Sequence, residues 1–226
     1  MNLLLGDAER LKTKNSHVDF LGVFPFDHFP LNRLIPDHVT KSASRTALCT
    51  IVNTDPSTKP GSHWVAFFSG DLGNLEFFDS YAMPPSAYDF FIPSNTKLST
   101  SNTCLQSLTS NVCGYYCLLY LYLRIVLFYS TSEPTSTQLN RVLASLSHIA
   151  DSPHSRDQII PKIVDCLLTK IISRLRFHSP LTTSFSIALL KPMPNISSSS
   201  LISKCVQTSL AHHHYRETNL STPHHY

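Results

Sequence analysis

The sequence predicts an α+β domain, and two observations carry that reading. Runs of β-branched and aromatic residues cluster between residues 47 and 81, and helical periodicity takes over at Cys113 and recurs to about residue 175. With 226 residues and no visible internal repeat, the chain is long enough to bury one good core.

The start, MNLLLGDAERLK, has three consecutive leucines before Gly6 and Asp7. That run lacks the apolar core and upstream positive charge of a signal peptide, so a short N-terminal helix is expected there. FLGVFPFDHFP (20–30) is rich in Phe and Pro without a helical period, which predicts an extended segment packed on the domain. ALCTIVNT (47–54) is a strand that stops at the turn cluster DPSTKPG. HWVAFF and LEFFDSY follow as two more strands around SGDLGN, a hairpin loop.

Cys113 to Tyr129 has a helical pattern. Leu139, Val142, Leu143, Leu146 and Ile149 give a second helix after a Ser/Thr-rich cap region. Ile160, Ile163, Val164, Leu167, Leu168, Ile171, Ile172 and Leu175 give a third, with Pro161 bending its first turns. Beyond Phe177, NISSSSLISK and AHHHYRETNLSTPHHY are biased in composition and weakly periodic. The expected division is a domain over 1–177 and a disordered or loosely attached tail over 178–226.

The net charge of +3 is small and its basic residues are scattered, so DNA is permitted as a partner but not indicated. Without an export signal the six cysteines are expected to be reduced thiols in the nucleus or cytoplasm, not in a secreted protein. The apolar run Val112 to Tyr129 is barely long enough to span a bilayer. Arg124 near its middle would cost roughly 2.5 to 3.5 kcal/mol there, so a buried core helix is the better reading and no membrane partner is expected.

The stretch SNVCGYYCLLY (110–120) sets two cysteines four apart. On one helix their Cβ atoms lie about 5 to 6 Å apart, against about 3.5 to 4.5 Å for a disulfide. A redox pair needs two intervening residues, and here there are three. A structural zinc site needs four ligands, and the only other cluster is His212, His213, His214, His224 and His225 in the tail, which would bind metal adventitiously. Core packing fits Cys117, inside the apolar run. Cys113 stands at the helix start beside Gly114, where free backbone amides and the helix dipole lower a thiol's pKa, and the glycine leaves room for a close backbone approach.

A nucleophile needs a base. With the hairpin centred on Asp71, Val65 faces Phe77, Phe67 faces Leu75 and His63 falls opposite Asp79, while the other, more mixed face pairs Trp64 with Phe78 and Ala66 with Glu76. An imidazole oriented by a carboxylate is the partner that nucleophilic catalysis uses, although a one-residue slip would part them. Gln106, seven residues before Cys113, supplies an amide for an oxyanion beside the Cys113 backbone N–H.

These four positions, with FLGVFPFDHFP, IVNTDPSTKPGSHWVAF, LEFFDSY and LQSLTSNVCGYYCLLYL, resemble the adenovirus-type cysteine proteases (adenain) and, more distantly, the proteases of ubiquitin-like modifiers such as SUMO. The resemblance covers about residues 20 to 129, and NTDP and FFDSY look most like the adenain-like proteases of Maverick/Polinton transposons and related viruses. It implies a papain-like, adenain-like fold, in which a small, mostly antiparallel sheet packs against a central helix that carries the nucleophile. It implies a thiol protease with Cys113 as nucleophile, His63 as general base, Asp79 as orienting acid and Gln106 in the oxyanion hole. Cleavage after glycine is implied, in a narrow groove that Trp64 walls and where Gly114 leaves room for substrate. No metal or organic cofactor is needed, and a monomer is expected.

The polypeptide substrate implied is a viral or transposon protein. The alternatives are a ubiquitin-like modifier to be deconjugated, or a binding module that has lost catalysis, against which the four filled positions argue. Adenoviral enzymes carry glutamate where Asp79 stands. Their activation by a cysteine-bridged peptide and DNA does not carry over, because Cys104 lies at a different distance from the nucleophile.

Overall fold

The computed structural model describes residues 16–35, 45–70, 74–130 and 135–176. The expected N-terminal helix, the centre of the hairpin loop and the tail lie outside the described residues. Five strands, β1 (Ser16–Phe24), β2 (Arg45–Asn53), β3 (Trp64–Ser69), β4 (Asn74–Phe78) and β5 (Lys97–Thr100), form one sheet in that order. The inner pairs β2/β3 and β3/β4 are antiparallel, and the outer pairs β1/β2 and β4/β5 are parallel. A parallel partner needs a crossover rather than a tight turn. One crossover holds the short helix α1 (Leu31–Leu34), and the other holds a 3-10 turn at Pro85–Tyr88.

The Phe-rich segment from 20 to 30 does more than pack: its first half is the end of β1, and Phe26–His28 forms a 3-10 turn. Alternation fails to announce this strand because its pairing shifts between Phe20 and Val23. Gly22 sits in that bulge at φ +128°, a conformation that favours glycine, and its carbonyl accepts the Thr50 hydroxyl at 2.8 Å.

Helix α2 (Cys113–Ser130) lies across one sheet face, on Ala66, Phe68 and Phe78, with Phe78 stacked on Tyr120 at 4.3 Å. Helices α3 (Thr135–Ser147) and α4 (Pro153–Arg176) pack against α2, and α4 begins seven residues before the periodic run that predicts it. On the other face, Val52, Val65, Phe67, Leu75 and Phe77 meet Leu34 and Phe90, with the Phe29 ring 4.4 Å from that of Phe67. Both faces are therefore buried, which is why WVAFFS is a continuous apolar run instead of an alternating one.

The face expected to be mixed is thus the one beneath the central helix, and its charge is neutralised within the core. Glu76 is fully buried and receives Arg124 Nε at 2.8 and 2.9 Å, Arg124 Nη2 at 2.7 Å and the Tyr120 hydroxyl at 2.7 Å. The guanidinium also lies 4.2 Å over the Phe68 ring. By length and composition α2 is apolar enough to cross a membrane, but here it is the central core helix and its one charge is paired across to β4.

Candidate active site

His63 enters just ahead of β3, at the end of a loop that closes on β2. Its carbonyl accepts the Thr54 N–H at 2.9 Å, and Asn53 pairs with Trp64 in the ladder. Gly61 makes the approach possible: it sits at φ +91°, and a Cβ there would fall 2.4 Å from Asn53 Nδ2. The Asn53 side chain uses that space to accept the Asp55 N–H at 2.8 Å, which fixes the chain on the way to His63.

Asp79 follows the last residue of β4. The hairpin register differs from the one that alternation predicts: Phe67 pairs with Phe77 and Ala66 with Phe78, so each partner lies two places further along. A shift of two keeps every side chain on its face, which hydrophobic alternation determines, while the position of the loop determines the rest. His63 and Asp79 consequently meet on the diagonal rather than directly across, and His63 Nε2 donates to Asp79 Oδ1 at 2.7 Å. Continued past its last pair, the ladder sets Tyr81 across from His63, and the two rings stack with centroids 4.7 Å apart.

Asp79 is fully buried, and both its oxygens are fully engaged. Oδ1 also accepts the Tyr81 N–H at 3.0 Å, and Oδ2 accepts the Met83 N–H and the Tyr88 hydroxyl, both at 2.9 Å. Its backbone is tied on both sides to the Ser101 hydroxyl, at 2.9 and 2.8 Å. Three donors besides His63 thus hold the carboxylate in one orientation, and it in turn orients the ring.

Cys113 is the first residue of α2, and it is buried. With Nε2 committed to Asp79, Nδ1 is the ring atom left for the thiol. Burial opposes ionisation of Cys113, but the hydrogen bond and charge of His63, together with the backbone N–H groups of Trp64 and Gly114, outweigh it and lower the thiol's pKa. Burial likewise opposes a charged His63, and the hydrogen bonds and charges of Asp79 and Cys113 raise its pKa to about 9. Both shifts favour a thiolate beside an imidazolium. One turn on, Cys117 is completely buried, its Sγ points to the Trp64 carbonyl at 3.3 Å, and burial pushes its thiol well above the ordinary value. The two cysteines are chemically distinct.

Gln106 is buried and belongs to the same layer through residues 80 and 81. Its backbone N–H and that of Leu105 both donate to the Ser80 carbonyl, at 3.1 and 2.8 Å, and its Oε1 accepts the Ser80 hydroxyl at 2.7 Å. Nε2 donates to the Ser110 carbonyl at 2.9 Å, the Ser110 hydroxyl at 3.0 Å and the Tyr81 hydroxyl at 3.1 Å. The amide thus lies against the loop that leads into Cys113. On the far side, Arg156 Nε donates to the Leu105 carbonyl at 3.0 Å, and Asp157 accepts the Ser107 N–H at 3.0 Å, so α4 grips the loop on either side of Gln106.

Trp64 is half-buried against the first turn of α2. A Cβ on Gly114 would meet Trp64 Cδ1 at 3.7 Å, an ordinary contact, so nothing inside the fold requires glycine at 114. Tyr81, Tyr88, Ser80, Arg156 and Asp157 were not singled out by the sequence. The first and third of these lie in FFDSY beside Asp79, a visible signal, whereas Tyr88, Arg156 and Asp157 reach the site through tertiary contacts alone. Among the described residues no group of three or more His, Cys, Asp or Glu side chains is placed to hold a metal.

No protein-family model matches the chain. Part of it is similar to African swine fever virus proteins described as a SUMO-1 cysteine protease in a tick and a warthog isolate, and as a cysteine protease in strain Badajoz. Each is 34% identical over 82 residues, 35% of this chain and 29% of the viral protein. The chain's match thus spans under a third of the length of these curated relatives. This likeness relates part of the chain to viral cysteine proteases, and the α+β fold with its central helix is compatible with a papain-like protease.

Proposed function

We propose that the protein is a cysteine peptidase in which Cys113 is the nucleophile, His63 the acid and base, and Asp79 the group that orients His63. The observation that carries the proposal is the chain Asp79, His63, Cys113, with its 2.7 Å carboxylate–imidazole hydrogen bond and its thiol at a helix start. The Cys113 thiolate attacks a peptide carbonyl, and the carbonyl oxygen takes the electron pair of the broken π bond. The Cys113 N–H and one N–H of Gln106 stabilise that oxyanion, Gln106 releasing its longest bond, to the Tyr81 hydroxyl. His63 gives its proton to the departing amine, then takes one from water, whose oxygen displaces the thiolate from the acyl group.

The substrate reading is a polypeptide cut after glycine, lying between Trp64 and the Gly114 end of α2, in a viral or transposon setting akin to adenain. A second reading, release of a ubiquitin-like modifier, draws support from the name of the swine fever virus relatives. An ionised free thiol suits the reducing nucleus or cytoplasm.

Short fluorogenic peptides ending in glycine, tested beside intact modifiers, separate the two readings, and cleavage of modifiers alone would favour the second. Cys113→Ala is expected to abolish turnover and Gln106→Ala to slow it about 100- to 1000-fold. Full activity in Cys113→Ala would sink the mechanism.

A further inference from the structure

We infer that Ser80 and Tyr81 are positioning residues that set the orientation of the Gln106 amide, so that the tripeptide Asp79-Ser80-Tyr81 aligns both the base and the oxyanion donor. The inference rests on the peptidase reading of the site.

The three residues reach three different parts of it. Asp79 holds His63, as described. The Ser80 hydroxyl donates to Gln106 Oε1 at 2.7 Å, and the Ser80 carbonyl accepts the backbone N–H groups of Leu105 and Gln106. Tyr81 lays its ring on His63 at 4.7 Å and its hydroxyl against Gln106 Nε2 at 3.1 Å, while that hydroxyl donates to the Ser110 carbonyl at 3.1 Å.

A glutamine amide has two faces that differ only in where O and N sit, and it is useful to an oxyanion only with N presented. The Ser110 carbonyl can only accept, so the end of the amide that faces it is nitrogen. That sets oxygen at the other end, where the Ser80 hydroxyl donates to it at 2.7 Å and anchors the amide. Flipped, the amide would set oxygen against the Ser110 carbonyl. Tyr81 supplies the exchangeable partner: it has a single hydroxyl proton, committed to Ser110, and so meets Nε2 only as an acceptor. Nε2 has two protons for its three acceptors, so the one shared with Tyr81, its longest bond, can pass to an oxyanion while Tyr81 goes on holding the Ser110 carbonyl that keeps the other. Ser80 is itself fully buried, so its hydroxyl is not shared with solvent.

The test is a double-mutant cycle in the full-length chain. Ser80→Ala and Tyr81→Phe are each expected to lower kcat on a glycine-ending fluorogenic peptide about tenfold, leaving KM and the pH profile of Cys113 alkylation by iodoacetamide unchanged. In a Gln106→Ala background neither substitution is expected to lower kcat further, and Ser80→Thr, which keeps the hydroxyl, is expected to recover most of the rate. A purely structural role would instead move alkylation or multiply with Gln106→Ala. Wild-type kcat in both single variants, or losses that multiply in the Gln106→Ala background, overturns the inference while leaving the peptidase reading standing. Absence of turnover in the wild-type protein, or full turnover in Cys113→Ala, removes the peptidase reading and this inference together.

Discussion

Replacing Asp79 with asparagine keeps its volume and removes the charge that sustains the imidazolium. His63 titrates at about 9 because the hydrogen bonds and charges of Asp79 and Cys113 overcome its burial. A raised pKa means that the protonated ring persists through neutrality and is lost only as the pH passes about 9. If the substitution returned His63 fully to its ordinary 6.5, the imidazolium would lose about 3 kcal/mol, or roughly 300-fold in population. If Asp79 and Cys113 share the effect equally, the loss is about 20-fold.

The assay is a pair of pH profiles. The alkaline limb of turnover is expected to move down from about 9 toward 6.5, and the onset of Cys113 alkylation to move up toward the ordinary thiol value, so the active window narrows from both sides. The variant also leaves the Met83 N–H, the Tyr81 N–H and the Tyr88 hydroxyl competing for one oxygen, so the fold is expected to lose about 1 to 3 kcal/mol. Profiles that coincide with wild type in a folded Asp79→Asn protein would refute the claim that this carboxylate sets the charge of His63.

Arg124→Met strands the fully buried Glu76 carboxylate and is expected to cost about 3 to 5 kcal/mol in urea denaturation, with much of the loss recovered when Glu76 is also made apolar. Gly61→Ala forces a Cβ toward Asn53 at a positive φ, so it should destabilise the fold by more than about 1 kcal/mol and slow Cys113 alkylation by loosening the approach to His63. At neutral pH iodoacetamide should label Cys113 well before Cys117, read by peptide mass mapping. Equal labelling in the folded protein would contradict the opposite pKa shifts of the two thiols.

The sequence made the α+β layout and the helix beginning at Cys113 legible, because apolar period changes sharply there. It placed His63 and Asp79 on one face for the same reason. It could not fix how far along that face they meet, since alternation is blind to a shift of two, and the loop that settles the matter carries two glycines and no strong turn signature. The missed contribution of Tyr81 follows directly, because the shift brings Tyr81, rather than Asp79, across from His63. Glu76 makes its hairpin face read as mixed because its partner lies 48 positions away on α2. The parallel edge strands escaped notice because their pairing depends on crossovers, and the bulge at Gly22 hides the period of β1.

The grip of Arg156 and Asp157 on residues 105 and 107 spans 51 and 50 positions of chain. During synthesis, His63, Asp79 and Cys113 are all made before α4 exists. The loop that carries Gln106 therefore cannot be clamped until the start of α4 has left the ribosome and docked. Long-range closures of this kind are slow compared with hairpin and helix formation. In a newborn chain the thiol, the imidazole and the carboxylate of the candidate site are thus all translated before the helix that secures the amide-bearing loop.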